Sequence, residues 1–573
     1  MNIQKRLILL GVIFLCCMSL LIARLMQIQL ISTESFSKHQ INLIAESVKQ
    51  RTHSLTINDG RGQFVDRNGL LISAEMKPAI VLFPFLQNKH WPIDKIAEIL
   101  RIRPSFLTQS LKTKDRPFIL DCQLTEQQME QVNDLKIPGV YAQYIARKKS
   151  APFANHLLGV TGEDPDYIRK MYPERLEKGD IAINTKIGKT GLQKAFDPFL
   201  LSEGETKLIY HVDRAGGPLF GLDVKYAAQA NPYYPVTVQT TIDKRKQQIL
   251  EKAIDQQRIT NGGAVLLDVA TSELLGMVSR PVTDGLSANE MLRRHSPGSI
   301  FKIVTAAAAI ENDTVSSWRT FNCDLGIDQK KARIPAGRLS FNESFAQSCN
   351  ATFGILANEL ILKKQNVIEN YAKRLGLLGI SGWTGDIYHF EHFRQFPEEE
   401  KGVVWKRKRD KTIPLAVSQT AIGQLNVQVS PLAIANMMAT IARGGKGKEV
   451  RAVTSIRYKN GSTLASFPSH QLHKETISNY TAMKLQELLR LVVTHSKGTG
   501  RALNGLPYAV AGKSGTAEKG KGNSKNNKWF AGYFPFDRPK YALVVVDLDQ
   551  KTENRTIKAF SQIVTELYKS DSK

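Results

Sequence analysis

Pro297-Gly298-Ser299-Ile300-Phe301-Lys302, running on into Ile303-Val304-Thr305-Ala306-Ala307-Ala308-Ala309-Ile310, reads as a chain break followed by a buried helix. The Pro-Gly pair stops what precedes it, and the alanine-rich apolar run favours helix. Ser299 therefore stands at a helix start, where free backbone N–H groups and the positive end of the dipole favour a developing negative charge. Lys302, three residues on, shares its face. A lysine buried near other cations gives up its proton more readily than a free one, so it can take the proton of a serine nucleophile. The bland alternative is a capped helix with a surface lysine.

Two later stretches complete a set of three. Lys513-Ser514-Gly515-Thr516 follows Tyr508-Ala509-Val510-Ala511-Gly512, a strand-like approach, and precedes a polar loop. Residues 529–534 and 541–547 read as two more strands, so this region predicts a meander. An edge strand carrying Lys513 can offer its cation to a substrate carboxylate, and Gly515 lets a ligand backbone come close. Ser348-Cys349-Asn350 leads into the apolar Ala351-Thr352-Phe353-Gly354, and buried Ser and Asn side chains need partners that a cleft supplies. A structural polar pair in a helix is the alternative there. Singly, such triplets are cheap. Ser35-Phe36-Ser37-Lys38, Lys189-Thr190-Gly191, Ser287-Ala288-Asn289, Ser340-Phe341-Asn342 and Ser524-Lys525-Asn526 have the same spacings without the flanking structure the chemistry needs. Residues 188–197 around Lys189 read as a turn entering a helix.

The ordered set Ser299-x-x-Lys302, Ser348-x-Asn350 and Lys513-Ser514-Gly515 resembles the signature of penicillin-binding proteins and class A β-lactamases. Thr241-Ile242-Asp243, Ser279-Arg280-Pro281, Ala421-Ile422-Gly423-Gln424, Gly498-Thr499-Gly500 and Trp529-Phe530-Ala531-Gly532 are similar to landmarks of that family in its order. Residues 61–69 are similar to the first signature of its non-catalytic pedestal. Over nearly its whole length the chain looks like a monofunctional class B penicillin-binding protein, most similar to the type called 4B in Gram-positive spore formers.

The resemblance implies a peptidoglycan D,D-transpeptidase that is also acylated by β-lactams. Ser299 would be the nucleophile, Lys302 the base and Ser348 the proton relay. Asn350 would hold the substrate amide, Lys513, Ser514, Gly515 and Thr516 the substrate's terminal carboxylate, and the backbone N–H groups of Ser299 and Thr516 the oxyanion. It also implies a membrane glycan polymerase as partner. Rival readings are a D,D-carboxypeptidase or β-lactamase using the same site, a non-catalytic scaffold, and a β-lactam sensor. Three departures stand out: Gln193 where relatives usually carry Glu, Thr271-Ser272 in place of a Thr-Gly turn, and a short segment between Pro281 and Pro297.

At 573 residues the chain exceeds what one core supports, which predicts several domains. Lys5-Arg6 precede an uncharged apolar run from Leu7 through Ala23. At about 1.5 Å per residue that run spans roughly 25 Å, and Leu25 and Met26 extend it while Arg24 snorkels. The expectation is an uncleaved single-pass anchor with the bulk outside the cytoplasm; a cleaved secretory signal is the alternative. The expected order is a tail at 1–6, anchor at 7–26, pedestal at 27–236 and transpeptidase domain at 237–573. The expected fold class is α/β: five antiparallel strands flanked by helices plus an all-helical lobe, with a mixed α+β pedestal. The helix at 431–443 is expected in that lobe, and the charged stretch 398–411 as a surface loop.

Cys16 and Cys17 fall in the apolar run, and Cys122, Cys323 and Cys349 lie far apart, so neither a disulfide framework nor a metal site is expected. No cofactor is expected. The net charge of +25 is dispersed, with no aromatic-basic recognition motif, which argues for anionic lipid or wall polyanions as neighbours and against nucleic acid.

Overall fold

The computed structural model describes residues 3–33, 43, 52–147, 153–178, 181–201, 203–212, 225–227, 231–282, 286–332, 334–518, 525–550 and 554–572. Ser35-Phe36-Ser37-Lys38 and Ser524 lie outside them. The chain divides into two compact units.

The smaller unit comprises Met1–Gly60, Met76–Arg147 and Gly204–Ala230. It begins with the helix Ile3–Met26, and the apolar stretch Leu7–Ile31, of hydropathy 2.6, is long enough to cross a membrane. Two three-stranded sheets follow, ordered Thr52–Asn58, Thr206–His211, Lys225–Ala227 and Phe118–Ile119, Glu75–Leu82, Val140–Arg147. Their own core holds Phe83, Phe85 and Tyr210, with ring centroids 4.9 to 5.9 Å apart.

The larger unit comprises Arg61–Glu75, Lys148–Glu203 and Asn231–Lys573. Its centre is a five-stranded antiparallel sheet of β1 (Gly262–Asp268), β2 (Leu274–Arg280), β3 (Ala511–Glu518), β4 (Asn526–Phe534) and β5 (Tyr541–Gln550), in the order β2-β1-β5-β4-β3. Strand alternation sends Val265, Trp529, Ala531 and Val544 to one face and Leu266, Phe530, Leu543 and Val545 to the other. Both sets are apolar because both faces are covered. The second face meets α1 (Lys244–Gln256), capped by Asp243, and the C-terminal helix α7 (Arg555–Asp571). In α7, Phe560, Val564 and Leu567 are buried as the periodicity predicts, whereas Ile557 is only half-buried.

Between β2 and β3 the chain builds α2 (Lys302–Glu311), α3 (Phe341–Gln347), α4 (Asn350–Lys363), α5 (Pro431–Ala442) and α6 (Asn479–Thr494). α5 has the expected Ser430 cap and first-position proline, but it packs on β1, β4 and β5 as the cover of the sheet's first face. Its apolar character runs nearly all round, which suits a layer pressed between sheet and helices. The insertion also holds short strand pairs, Thr320–Asn322 with Arg338–Ser340 and Thr384–Ile387 with Phe390–Arg394, too brief for periodicity to reveal. The charged stretch 398–411 is pinned by two buried carboxylates. Glu399 accepts Ser381 N and Gly382 N at 2.8 and 2.9 Å, and Asp410 accepts Asn426 Nδ2 at 2.6 Å.

Two departures from the family pattern are accommodated by hydrogen bonds. Gln193 Oε1 takes Arg61 Nε and Nη2 at 3.0 and 2.9 Å, while Arg61 Nη2 also reaches Asp197 Oδ1 at 2.8 Å. Ser272 adopts φ +56° where a glycine would sit freely, and its hydroxyl bonds Asn436 Oδ1 at 3.1 Å and receives Arg443 Nη1 at 2.8 Å. Lys189-Thr190-Gly191 is structural as expected: it joins the strand Lys186–Gly188 to the helix Gly191–Ala195, and Lys189 pairs with Asp164 at 2.6 Å.

Candidate active site

Ser299 sits in a 3-10 turn, Gly298–Phe301, that runs into α2. The helix thus opens with a tighter turn than expected, and in such a turn residues three apart eclipse, which stacks Ser299 and Lys302 on one face. Ser299 is half-buried; Lys302 is wholly buried, as is the rest of α2 through Ile310. The turn is welded to its surroundings by glycines. Gly298 has φ +56°, and a side chain there would meet Thr516 O at 2.2 Å. Gly515 has no room either, with Pro297 O 2.6 Å from where its Cβ would be.

Lys302 Nζ donates to Ser348 O at 2.6 Å, Ser348 Oγ at 3.0 Å and Asn350 Oδ1 at 2.7 Å, and lies 5.4 Å from the centre of the Phe353 ring. Lys513 Nζ approaches from the sheet and donates to the same Ser348 Oγ at 2.9 Å and to Ser514 O at 3.2 Å. Thus the three sequence stretches meet at one serine hydroxyl. Burial first, and then the charge of Lys513, holds the Lys302 amine well below its usual range. Burial lowers Lys513 to about 7. Lys513 points under the cleft at Ser348 and not out into it.

Ser348 ends α3 in the left-handed region, φ +62°. An L-residue there stores strain of order 1 kcal/mol, which the two lysine contacts and the chain after it must hold. Part of that hold is covalent: Cys349, between Ser348 and Asn350, forms a disulfide with Cys323, Cα–Cα 5.8 Å. This corrects the sequence expectation of no disulfide. The two cysteines stand 26 positions apart, and the chain between them folds back through the partner of the Thr320–Asn322 strand, a juxtaposition that spacing does not disclose. Among the described residues no His/Cys/Asp/Glu group could hold a metal.

Thr516 lies on the free edge of β3. Its carbonyl accepts Gln424 Nε2 at 3.3 Å and faces the Gly298 backbone, so it points away from β4. In an antiparallel strand the N–H and C=O of one residue point the same way, so Thr516 N–H also faces the Ser299 turn. Ser514 Oγ donates to Thr499 Oγ1 at 2.8 Å, and Thr499 N donates to Ala346 O at 3.1 Å. Thr499, Gln424 and Phe353 are site neighbours to which the sequence assigned no role. The Gly498-Thr499-Gly500 and Gly423-Gln424 landmarks were the available signal.

A family model described as "Penicillin binding protein transpeptidase domain" matches residues 262–569, and one described as "Penicillin-binding Protein dimerisation domain" matches residues 56–231. The chain is 25% identical over 543 residues to Stage V sporulation protein D of Bacillus subtilis (strain 168), covering 86% of this chain and 75% of that one. It is 23% identical over 579 residues to the peptidoglycan D,D-transpeptidase FtsI of Escherichia coli (strain K12), covering 93% and 85%. A solved structure described as "Structural coordination of polymerization and crosslinking by a peptidoglycan synthase complex" shares its fold, with TM-score 0.66 over 98% of both chains at 21% identity. Since the first family model spans more than half of its length and the second accounts for the region before it, the chain belongs to the penicillin-binding protein transpeptidase family, as a class B member.

Proposed function

We propose that this chain is a serine-type peptidoglycan D,D-transpeptidase, and that its single supporting observation is the convergence of Lys302 and Lys513 on the Ser348 hydroxyl beside Ser299. Burial and the Lys513 charge favour the neutral form of the Lys302 amine, whose lone pair, once the donation to Ser348 Oγ is given up, can receive the Ser299 proton. Ser299 Oγ then attacks the carbonyl between the last two D-alanines of a stem peptide. The oxyanion is taken by the N–H groups of Ser299 and Thr516, a contribution of about 3 kcal/mol per donor. Collapse breaks the amide bond; the proton on Lys302 passes through Ser348 Oγ to the departing D-alanine amine, leaving an acyl-Ser299. An amine from a neighbouring stem attacks that ester, returns its proton by the same route and frees Ser299. Asn350 Oδ1 is occupied by Lys302, so its Nδ2 is the part offered to a substrate carbonyl. Thr516, Ser514 and the field of Lys513 serve the carboxylate.

β-Lactams acylate the same hydroxyl in this scheme. Fluorescent penicillin is expected to mark the wild type and to leave Ser299→Ala unmarked; labelling that persists in the variant would overturn the nucleophile. A long-lived acyl-enzyme separates the transpeptidase from a β-lactamase, which must release it rapidly.

We further propose a single-pass membrane anchor at 7–26, an extracytoplasmic body, a pedestal at 27–236 and a transpeptidase domain at 237–573. Two pedestal stretches, Arg61–Glu75 and Lys148–Glu203, fold into the unit that carries the site. A membrane glycan polymerase is the proposed partner, in line with the synthase complex whose fold the chain shares.

A further inference from the structure

A second cavity of about 540 Å³ lies in the larger unit, away from the acyl-transfer residues, and falls in the size range of small-ligand sites. It is bounded by the last turn of α2, the first turn of α3 and the face of α6 from Tyr480 to Leu491. Its floor is apolar, formed by the buried Ile310, Phe341 and Leu488. Its walls are hydroxyl, amide and carboxylate groups. Ser316, Ser317, Asn342 and Asp313 line it, and none of their side chains has a protein hydrogen-bond partner among the described residues. Two large aromatic rings stand open beside this polar set. Tyr480 lines the cavity and is 59% exposed; Trp318, directly after the lining Ser317, is 85% exposed, a rare state for tryptophan.

Charge narrows the ligand. Lys484 lies over the Tyr480 ring and is paired with Glu487 at 2.9 Å, so Asp313 leaves the lining slightly negative. That disfavours phosphate polyanions and acidic peptides. Flat aromatic faces beside neutral donors and acceptors suit a pyranose, whose C–H face packs on a ring while its hydroxyl and acetamido groups take hydrogen bonds. We infer that this cavity binds the N-acetylated amino-sugar chain that carries the stem peptides.

Reach supports the pairing of this cavity with the acyl-transfer site. The cavity touches the start of α3 at Phe341 and Asn342, and α3 ends at Ser348. Seven helical residues span about 10 Å, and a four-residue extended peptide spans about 14 Å, so a sugar seated here can deliver its own stem peptide to the Ser299 turn. The inference rests on the transpeptidase reading for its biological sense; the binding itself is separable from it.

The test uses the full chain in detergent, with chitotetraose as probe and Trp318 emission as the readout. Saturable binding is expected to the wild type, and binding about tenfold weaker to Tyr480→Ala and Asn342→Ala. Both substitutions are at exposed positions, and both variants are expected to be labelled by fluorescent penicillin at the wild-type rate, which certifies the fold. Each is also expected to cross-link glycan-borne stem peptides several-fold more slowly while using free pentapeptide normally. Absence of saturation, undiminished binding in both variants, or equal binding of a poly(glycerol phosphate) of similar length would overturn the inference. Failure of penicillin to label wild-type Ser299 would strike the transpeptidase reading alone and leave the binding result standing.

Discussion

Two ammonium groups cannot both stay charged around one serine hydroxyl. Lys302 and Lys513 bring their nitrogens within 3.0 and 2.9 Å of Ser348 Oγ, and both are wholly buried. Desolvation lowers each, and the Lys513 charge presses Lys302 further, so Lys302 gives up its proton first. Below about 7 Lys513 keeps its charge, and that charge with burial biases Lys302 toward the neutral form, which is the arrangement acyl transfer needs. Above it Lys513 discharges too, and the field favouring a substrate carboxylate fades. The efficiency of acylation by a carboxylate-bearing β-lactam is therefore expected to fall as pH rises through about 7 in the free enzyme. Stopped-flow labelling across pH 5.5–9 reads this directly. A β-lactam ester lacking the carboxylate should not show that decline. A carboxylate substrate with a constant rate up to pH 9 would mean that Lys513 keeps its proton.

Among elements, the decisive contact is between the Ser299 turn and the free edge of β3, and it is made by backbone against backbone. Gly298→Ala places a methyl 2.2 Å from Thr516 O at a φ of +56°, so the turn must retreat from the strand. A displacement near 1 Å costs about 10²-fold in rate, whereas the sheet itself is untouched. Penicillin acylation of this variant should fall by about that factor, with stability lowered by about 1 kcal/mol or more from the positive φ and the clash; an unchanged rate would show that the turn and strand need not touch. The Cys323–Cys349 link sets the other wall. Closing a loop of this length contributes roughly 3 kcal/mol in the chain-entropy description, so Cys323→Ala/Cys349→Ala should lower unfolding stability by an amount of that order. Denaturant titration measures it, and a variant as stable as wild type would assign the link no role. These two walls also show what sequence can disclose. The helix start at Ser299, the late strands and the α5 cap are local chemistry, carried by Pro, Gly, Ser and apolar period, and they were readable. The disulfide, the Thr499–Ser514 bond and the packing of α5 on the sheet join residues distant along the chain, and no local pattern encodes them. Ile557 shows the intermediate case: the period of α7 was right, but the edge of its buried stripe depends on where neighbouring elements end.

For the molecule as a whole, the buried lysines that make the site also set how its stability responds to pH. The unfolded chain holds the Lys513 proton until about 10.5, while the folded chain releases it near 7. Between those values the unfolded state binds more protons, so stability rises with pH; Lys302, also held below its usual range, adds the same sign. Glu399 acts below this window with the opposite sign. Burial raises its carboxyl to about 7 against the pull of two backbone N–H groups, so the folded state binds the extra proton and stability falls as pH climbs from 4.5 toward 7. From 7.5 to 9.5 ordinary carboxylates and imidazoles have finished titrating and ordinary lysines have barely begun, which leaves the buried pair as the main source of change. The unfolding midpoint of the larger unit should therefore increase from pH 7.5 to 9.5, as read by thermal scanning of the full chain in detergent. Lys513→Met, which keeps the volume and loses the titration, should start from a higher stability at pH 7.5 and gain less on going to 9.5. A variant whose gain matches wild type would place the proton release elsewhere.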